Sequence, residues 1–179
     1  MSGVVLNAFS LDISDSEISL DIKSVVESIS GIALEASDDI NIVGTKILLF
    51  GVAATEDVAD ISPSVGGSLS VMGGSVTVSG SSAGPLSGMA GEAKAVALSN
   101  TAVTVSGFGS ASKAAGVAFA AEGAVDVSGS TVTLENVKSS GDAAGLIINP
   151  LGTMTLSSPT LTFTDVSAVN LGGVAITTE

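Results

Sequence analysis

Apart from five lysines, carboxylates and hydroxyls are the side chains in this sequence that could do chemistry, because it contains no histidine, cysteine, arginine, tyrosine or tryptophan. A polysaccharide-cleaving enzyme needs a pair of carboxylates, or a calcium site with a basic residue, and aromatic or arginine side chains that hold the sugar. The carboxylates, with Asp12, Asp126 and Asp142 among them, form no such pair in phase on one face of the later repeats. We therefore expect no enzymatic activity, no catalytic residues and no cofactor.

Two pairs of adjacent acids, Asp38-Asp39 and Glu56-Asp57, come closest to the composition of a metal site. Calcium takes roughly six to eight oxygen ligands, which two neighbouring carboxylates do not supply. Adjacent acids are typical of a solvated turn, and a loose Ca²⁺ contact is the alternative interpretation. We expect no metal-binding residues.

The hydroxyls follow a regular pattern. Thr77, Thr104, Thr133 and Thr162 recur at steps of 27 or 29 residues, and three further threonines flank them: Thr131, Thr160 and Thr164. On stacked strands these side chains would lie about 4.8 Å apart between strands and about 6.7 Å apart along each strand. This array resembles the threonine ranks of β-solenoid antifreeze proteins, which implies an ice surface as a possible ligand. The alternative is that threonine is a good strand residue whose hydroxyls pair down a ladder.

The elements that would position these side chains follow from a repeat of about 29 residues. Three hydrophobic columns recur along nearly the whole chain. The first column is Val4, Ile32, Ile61, Met89, Val117, Leu146 and Val174, each after a small residue or Asp60. The second column begins with Leu11/Ile13 and ends with Met154/Leu156, and the third runs from Ile18/Leu20 to Leu161/Phe163. A fixed phase over so many periods indicates a stacked solenoid.

Within each apolar pair the middle residue is usually small or polar, a period of two that is typical of a half-buried strand. We therefore predict an all-β fold, a three-sided parallel β-helix (β-solenoid) of about six coils of 29 residues, as a single domain over 1–179. A β-sandwich is the rival, but it would not hold a fixed phase. The predicted core is Val76, Val78, Leu98, Val103, Val105, Val125, Val127, Val132 and Leu134.

The connections differ in length and content. The corner between the second and third columns carries turn-forming residues, whereas the longer connection after the third column varies most. Its first copy, Val25, Val26 and Ile29, could form a turn of helix. The step from Val76 to Val103 is shorter than the others and predicts that one long connection and the following corner each lose a residue. An outward column of small residues, Ala33 to Ala175, is either a flat contact surface or is covered by the long connection.

The net charge of −13 makes nucleic acid and anionic membrane surfaces poor partners, because both require basic clusters. No apolar run reaches the roughly 18 residues of a membrane span, so we expect no membrane insertion. No signal-peptide pattern opens the chain, where Met1 and Ser2 run directly into the first column.

Both termini fall in phase in the first column, with Val4 and Leu6 at one end and Val174 and Ile176 at the other. We expect these residues to stack end to end in self-association, as a homo-oligomer or fibre, or to continue a longer solenoid. Side-by-side association is a third possibility. Acids concentrated in the first two coils would oppose joining at that end.

The last coil carries a family resemblance. Phe163-Thr-Asp-Val166 followed by Gly172-Gly-Val-Ala-Ile176 resembles the FxxN and GGAI repeats of polymorphic surface adhesins, with Val166 in place of the asparagine. The resemblance implies an adhesive or structural role outside the cell or at the cell surface. Head-to-tail polymerisation is similar in principle to that of bactofilins, whose coils are shorter.

Overall fold

The computed structural model describes residues 2–22, 25–107 and 110–176, and within these ranges it contains strands and no helix. In chain order the strands are β1 Ser2–Ala8, β2 Leu11–Ser14, β3 Glu17–Asp21, β4 Val25–Val26, β5 Ile29–Ala36, β6 Ile40–Val43, β7 Lys46–Ala54, β8 Val58–Met72, β9 Ser75–Ser82, β10 Pro85–Ser99, β11 Ala102–Gly107, β12 Ser110–Ala111, β13 Lys113–Ala121, β14 Val125–Ser128, β15 Thr131–Glu135, β16 Lys138–Ser139, β17 Asp142–Pro150, β18 Met154–Ser157, β19 Thr160–Thr164 and β20 Asn170–Ile176.

The strands pair in parallel from one coil to the next, in the register that the repeat predicts. Val103 lies between Val76 and Val132, and Ile32 lies between Val4 and Ile61. The prediction of an all-β parallel solenoid of about six coils is confirmed. All nine predicted core residues are buried.

Two sheets form the walls of the solenoid. The first and second columns belong to one sheet of 11 described strands, because β8 and β10 run without interruption through both columns. The third column forms a second sheet, ordered β19-β15-β11-β9-β7-β3. The short strands β12 and β16 pair separately in the long connection. The first and second columns are therefore parts of one sheet, and the described coils have two main sheets for the three columns.

The interior contains two hydrophobic clusters. The larger fills the space between the three columns and runs the length of the solenoid. The smaller joins the ends of the third-column strands, such as Leu49 and Val78, to the connection residues Val52 and Val137. The long connection therefore forms part of the core wall. The expected helical turn is wrong: Val25–Val26 is strand β4 and pairs with Ala53 and Ala54, because there the chain follows the ladder of the next coil. Residues 23 and 24 lie outside the described ranges.

The tight corner between the second and third columns depends on a column of left-handed backbone conformations. The equivalent residue of each coil has positive φ there: Asp15, Gly44, Gly73, Asn100, Gly129 and Ser158, and in the third corner Gly74 has positive φ as well. Glycine, asparagine and aspartate adopt this conformation most readily, which explains why turn-forming residues recur at this position. Buried hydroxyls follow the turn. The Thr101 hydroxyl donates to the carbonyl of Val71 at 3.2 Å, and the Ser130 hydroxyl donates to that of Leu98 at 3.3 Å.

The residues that precede the first column form a glycine column: Gly3, Gly31, Asp60, Gly88, Gly116, Gly145 and Gly173. Here the larger sheet passes close to the facing side chains of the second sheet. A Cβ atom on Gly88 would lie 2.5 Å from Cγ1 of Val103, and one on Gly116 would collide with Val132. We call this narrow part of the cross-section the waist. Six of the seven positions have glycine because the two β-sheets approach closely there, and Asp60 is the exception.

Candidate functional site

The structure brings the predicted threonines to one outward face of the second sheet, which we call the threonine face. Thr104 lies in register between Thr77 and Thr133, and Thr133 lies beside Thr162. Their strands alternate buried valine or leucine with these outward residues, so the hydroxyls and methyl groups point away from the core. Among the described residues, no hydrogen bond joins one threonine hydroxyl of this face to another.

The last two described coils complete the threonine face. Thr131 lies beside Thr160, and Thr164 lies beside Glu135. Leu48 continues the central column below Thr77, and the exposed Phe50 lies on the same strand, so the face is interrupted towards the first coils. From the third coil onward the array carries one titratable group, Glu135, whereas Glu17 and Lys46 occupy the column of Thr131 and Thr160 in the first two coils. Chemically it can offer regularly spaced methyl and hydroxyl groups to water or to another surface.

The outward column of small residues is in register as expected. Ala118 lies between Ala90 and Ile147, and Ile147 lies beside Ala175. These side chains are partly buried, except the exposed Ala175. The connection residues Val52 and Val137 pack inward into the second hydrophobic cluster. This part of the long connection therefore faces the core, and both interpretations of the column, a flat contact surface and a surface covered by the connection, remain predictions.

A groove opens beside this column at the shortened corner, and sequence reasoning did not find it. The register of β8 and β10 shifts between Ala93 and Ala95, which confirms the predicted loss of one residue in that corner. The cavity there has a volume of about 420 Å³. Buried Val65, Ala93 and Ala121 line it together with five exposed polar residues: Ser64, Glu92, Lys94, Glu122 and Asn149. The shortened step between coils was the signal in the sequence that marks its position.

Two of the acids that sequence reasoning considered as a metal site accept hydrogen bonds from neighbouring coils. Asp39 Oδ1 accepts the Ser68 amide at 2.8 Å, and Glu56 Oε2 accepts the Ser28 hydroxyl at 3.0 Å. Among the described residues, no group of three or more acids could hold a metal ion. The chemistry of these carboxylates is that of turn and ladder stabilisation.

Asp60 is the titratable residue with the most unusual environment, and sequence reasoning placed it only as one member of the glycine column. It is fully buried, and neither carboxyl oxygen has a hydrogen-bond partner among the described residues. Burial raises the pKa of Asp60 from 3.8 to about 8. The nearby backbone of Thr77 lowers this pKa, although its geometry is not that of a hydrogen bond. The signal for it in the sequence was a carboxylate at a position where all the other coils have glycine.

The two end coils, residues 2–22 and 151–176, expose hydrophobic side chains in the same columns as the interior coils. Val4 and Leu6 are partly buried at one end, as is Val174 at the other, and Ile176 is exposed. The strands β1, β2 and β3 each pair with the next coil only, and β18, β19 and β20 each pair with the preceding coil only. The predicted end-stacking residues therefore lie beside six strand edges that have no partner within the described chain.

No family model, curated protein or solved structure matches the chain. Within the described ranges, the structure contains no helical segment with the length and apolarity needed to traverse a lipid bilayer.

Proposed function

We propose that this protein is a non-catalytic structural or adhesive β-solenoid whose end coils join further β-coils, either by end-to-end self-association into a fibre or as part of a longer surface solenoid. The observation that carries the proposal is the pair of end coils. Each offers three strand edges and a set of aliphatic side chains in the same columns, so that one coil could continue the ladder of another.

The free energy for such a joint would come from two sources. Unpaired strand edges template the addition of further strands. Burial of apolar surface contributes about 25 cal/mol per Å², so a few hundred Å² would contribute several kcal/mol. At one end the aliphatic set includes Leu11, Ile13 and Ile18, and at the other it includes Met154 and Leu161. Leu11 shares the second column with Met154, and Ile18 shares the third column with Leu161. A head-to-tail joint would therefore preserve the packing of the interior coils.

The acids of the first coil are compatible with a head-to-tail joint, although the sequence alone suggested that they oppose it. Asp12 shares its column with Thr155, Glu17 shares its column with Thr160, and Asp15 is in the corner position of Ser158. In a head-to-tail joint these carboxylates would therefore face hydroxyl donors of the next subunit. In a joint of two first coils they would face one another, which is unfavourable.

Existing contacts already reduce the repulsion at that end. Lys46 Nζ lies 3.4 Å from Oε1 of Glu17, and Asn41 donates to Asp12 at 2.9 Å. Both contacts are exposed and each contributes little to stability. Their relevance is that they leave two of the first-coil acids partly compensated before a second subunit approaches.

Analytical ultracentrifugation together with electron microscopy tests this proposal. We expect the sedimentation coefficient to rise with protein concentration and with salt, because salt screens the repulsion among the acids. Electron micrographs should show filaments one solenoid wide, unaffected by EDTA. A species of 17.2 kDa at high concentration and high salt would contradict end-to-end self-association.

A second candidate function is ice binding by the threonine face. The observation that favours it is the unbroken register of Thr77, Thr104, Thr133 and Thr162, whose hydroxyls are not consumed in bonds to one another. Ordering of water at a regular flat surface needs no charge and no cofactor, which agrees with the composition of this face.

A further inference from the structure

Asp60 occupies a position at which the other coils have glycine, and its carboxyl group is enclosed between the two sheets. Its Oδ1 atom lies 2.5 Å from the point that a Cβ on Gly31 would take, so the carboxyl extends over the glycine of the preceding coil. Elsewhere in the glycine column, valine and leucine side chains of the second sheet fill the corresponding space. Asp60 therefore places a polar group at a point of the waist that is otherwise packed with hydrocarbon.

On the described strands that pack around Asp60, no charge compensates its ionised form. It is the one charged residue of β8, and the facing strand β9 carries none. On the adjacent strands, Glu35 of β5 and Glu92 and Lys94 of β10 are exposed to solvent. Lys46 of β7 is also exposed and pairs with Glu17. An ionised carboxylate without a partner is unfavourable inside a protein, so the packed waist requires the protonated acid.

We propose that Asp60 is a pH-sensitive element that keeps the waist of the second to fourth coils closed while its carboxyl is protonated and loosens it when the proton is lost. The mechanism needs no ligand. Protonation lets the two sheets pack around a neutral group, whereas ionisation favours entry of water between β8 and β9. The inference concerns the interior of a single chain and does not depend on the proposed self-association.

The direction of the pH dependence follows from the shifted pKa. The unfolded chain ionises Asp60 near 3.8 and the folded chain near 8. Below 3.8 both states bind the proton and stability is undiminished. Between these values unfolding releases a proton, so the unfolding equilibrium constant should increase by about tenfold per pH unit. Above pH 8 Asp60 is ionised in both states, and the stability that depends on its protonation is fully lost.

Urea unfolding from pH 4 to pH 9, at a concentration where the chain is monomeric, tests the proposal. The variants are Asp60→Asn, which cannot ionise, and Asp126→Asn, a matched control at an exposed acid of β14. We expect the ratio of the wild-type unfolding constant to that of Asp60→Asn to rise about tenfold per pH unit between pH 4 and pH 8. The corresponding ratio for Asp126→Asn should stay flat over that range. A flat ratio for Asp60→Asn would overturn the proposal.

Three further measurements keep the test decisive if Asp60→Asn does not fold. Asp60→Gly restores the residue of the neighbouring coils and should give the same pH-dependent ratio. In the wild type, the side-chain carboxyl carbon of Asp60 should titrate by NMR with a midpoint near 8, and a midpoint below about 5 would overturn the proposal. Amide exchange corrected for intrinsic rates should accelerate above that midpoint at Val58–Ser62 and Val76–Val78. A uniform acceleration over all coils would contradict a local opening of the waist.

Discussion

Oδ1 of Asp60 lies 2.5 Å from the position that a Cβ atom on Gly31 would occupy, so the side chain of one coil uses the space left free by the glycine of the preceding coil. The carbonyl oxygen of Asp60 lies 2.8 Å from the same point. The two residues are therefore coupled: a carboxyl at position 60 requires glycine at position 31. The carboxyl of Asp60 occupies the space over Gly31 in the same way that the side chain of Val103 occupies the space over Gly88.

Replacing Gly31 by alanine should destabilise the fold by about 1–3 kcal/mol, because the added methyl group overpacks the waist against Asp60. In the background of Asp60→Gly the same replacement should cost less, since the carboxyl oxygen is gone. Some cost should remain, since the carbonyl oxygen of residue 60 stays. Urea unfolding of the four members of this double-mutant cycle gives the coupling free energy.

Gly172 provides the control for that cycle. A Cβ atom there would have no heavy atom within 4 Å, so Gly172→Ala should leave stability nearly unchanged. Additive effects of the changes at positions 31 and 60 would show that the two residues are not coupled.

The corner glycines Gly73 and Gly74 should respond differently to the same substitution. Both have positive φ, +67° and +75°, but a Cβ on Gly73 would lie 3.9 Å from its nearest neighbour, whereas one on Gly74 would collide with the backbone of Thr45. Gly73→Asn should cost less than about 1 kcal/mol, because Asn100 has the same conformation at the equivalent corner. Gly74→Asn should cost at least about 2 kcal/mol more. Thermal unfolding compares them, and equal costs would contradict this account.

Replacing Val174 by lysine should prevent end-to-end association, since it puts a charge into the apolar joint. We expect sedimentation of Val174→Lys to stay that of a monomer at salt concentrations where the wild type associates. Val169 is 71% exposed in the same coil, outside the three columns, so Val169→Lys is a matched control that adds the same charge. If both variants associate like the wild type, the last coil is not the joint.

If the threonine face binds ice, Thr133→Tyr should abolish thermal hysteresis while the melting temperature changes by no more than a degree or two. The bulky ring would break the flatness of the face at its centre without entering the core. Thr55→Tyr, at an exposed position of a connection, should keep the activity of the wild type. Absence of hysteresis and of ice-crystal shaping in the wild type at millimolar concentration would exclude this function.

Several parts of the architecture could be predicted from the sequence because the repeat makes each coil a copy of its neighbours. The positions of Val76, Val103 and Val132 in one buried column follow directly from the fixed step and the period of two. The corner residues could also be predicted from the sequence, since positive φ restricts the choice to a few residue types. The shortened step likewise predicted the register shift between Ala93 and Ala95, but it did not predict the groove at this position.

What only the tertiary structure decided is how the columns face one another across the interior. Periodicity identifies residues that repeat on the inner side, but it contains no information on the curvature of the chain between them. The union of the first and second columns in one sheet, and the inward packing of Val52 and Val137, arise from contacts between distant parts of each coil. The same holds for Asp60. Its place in the glycine column was readable in the sequence, but its burial without a partner results from the close approach of the two sheets at the waist.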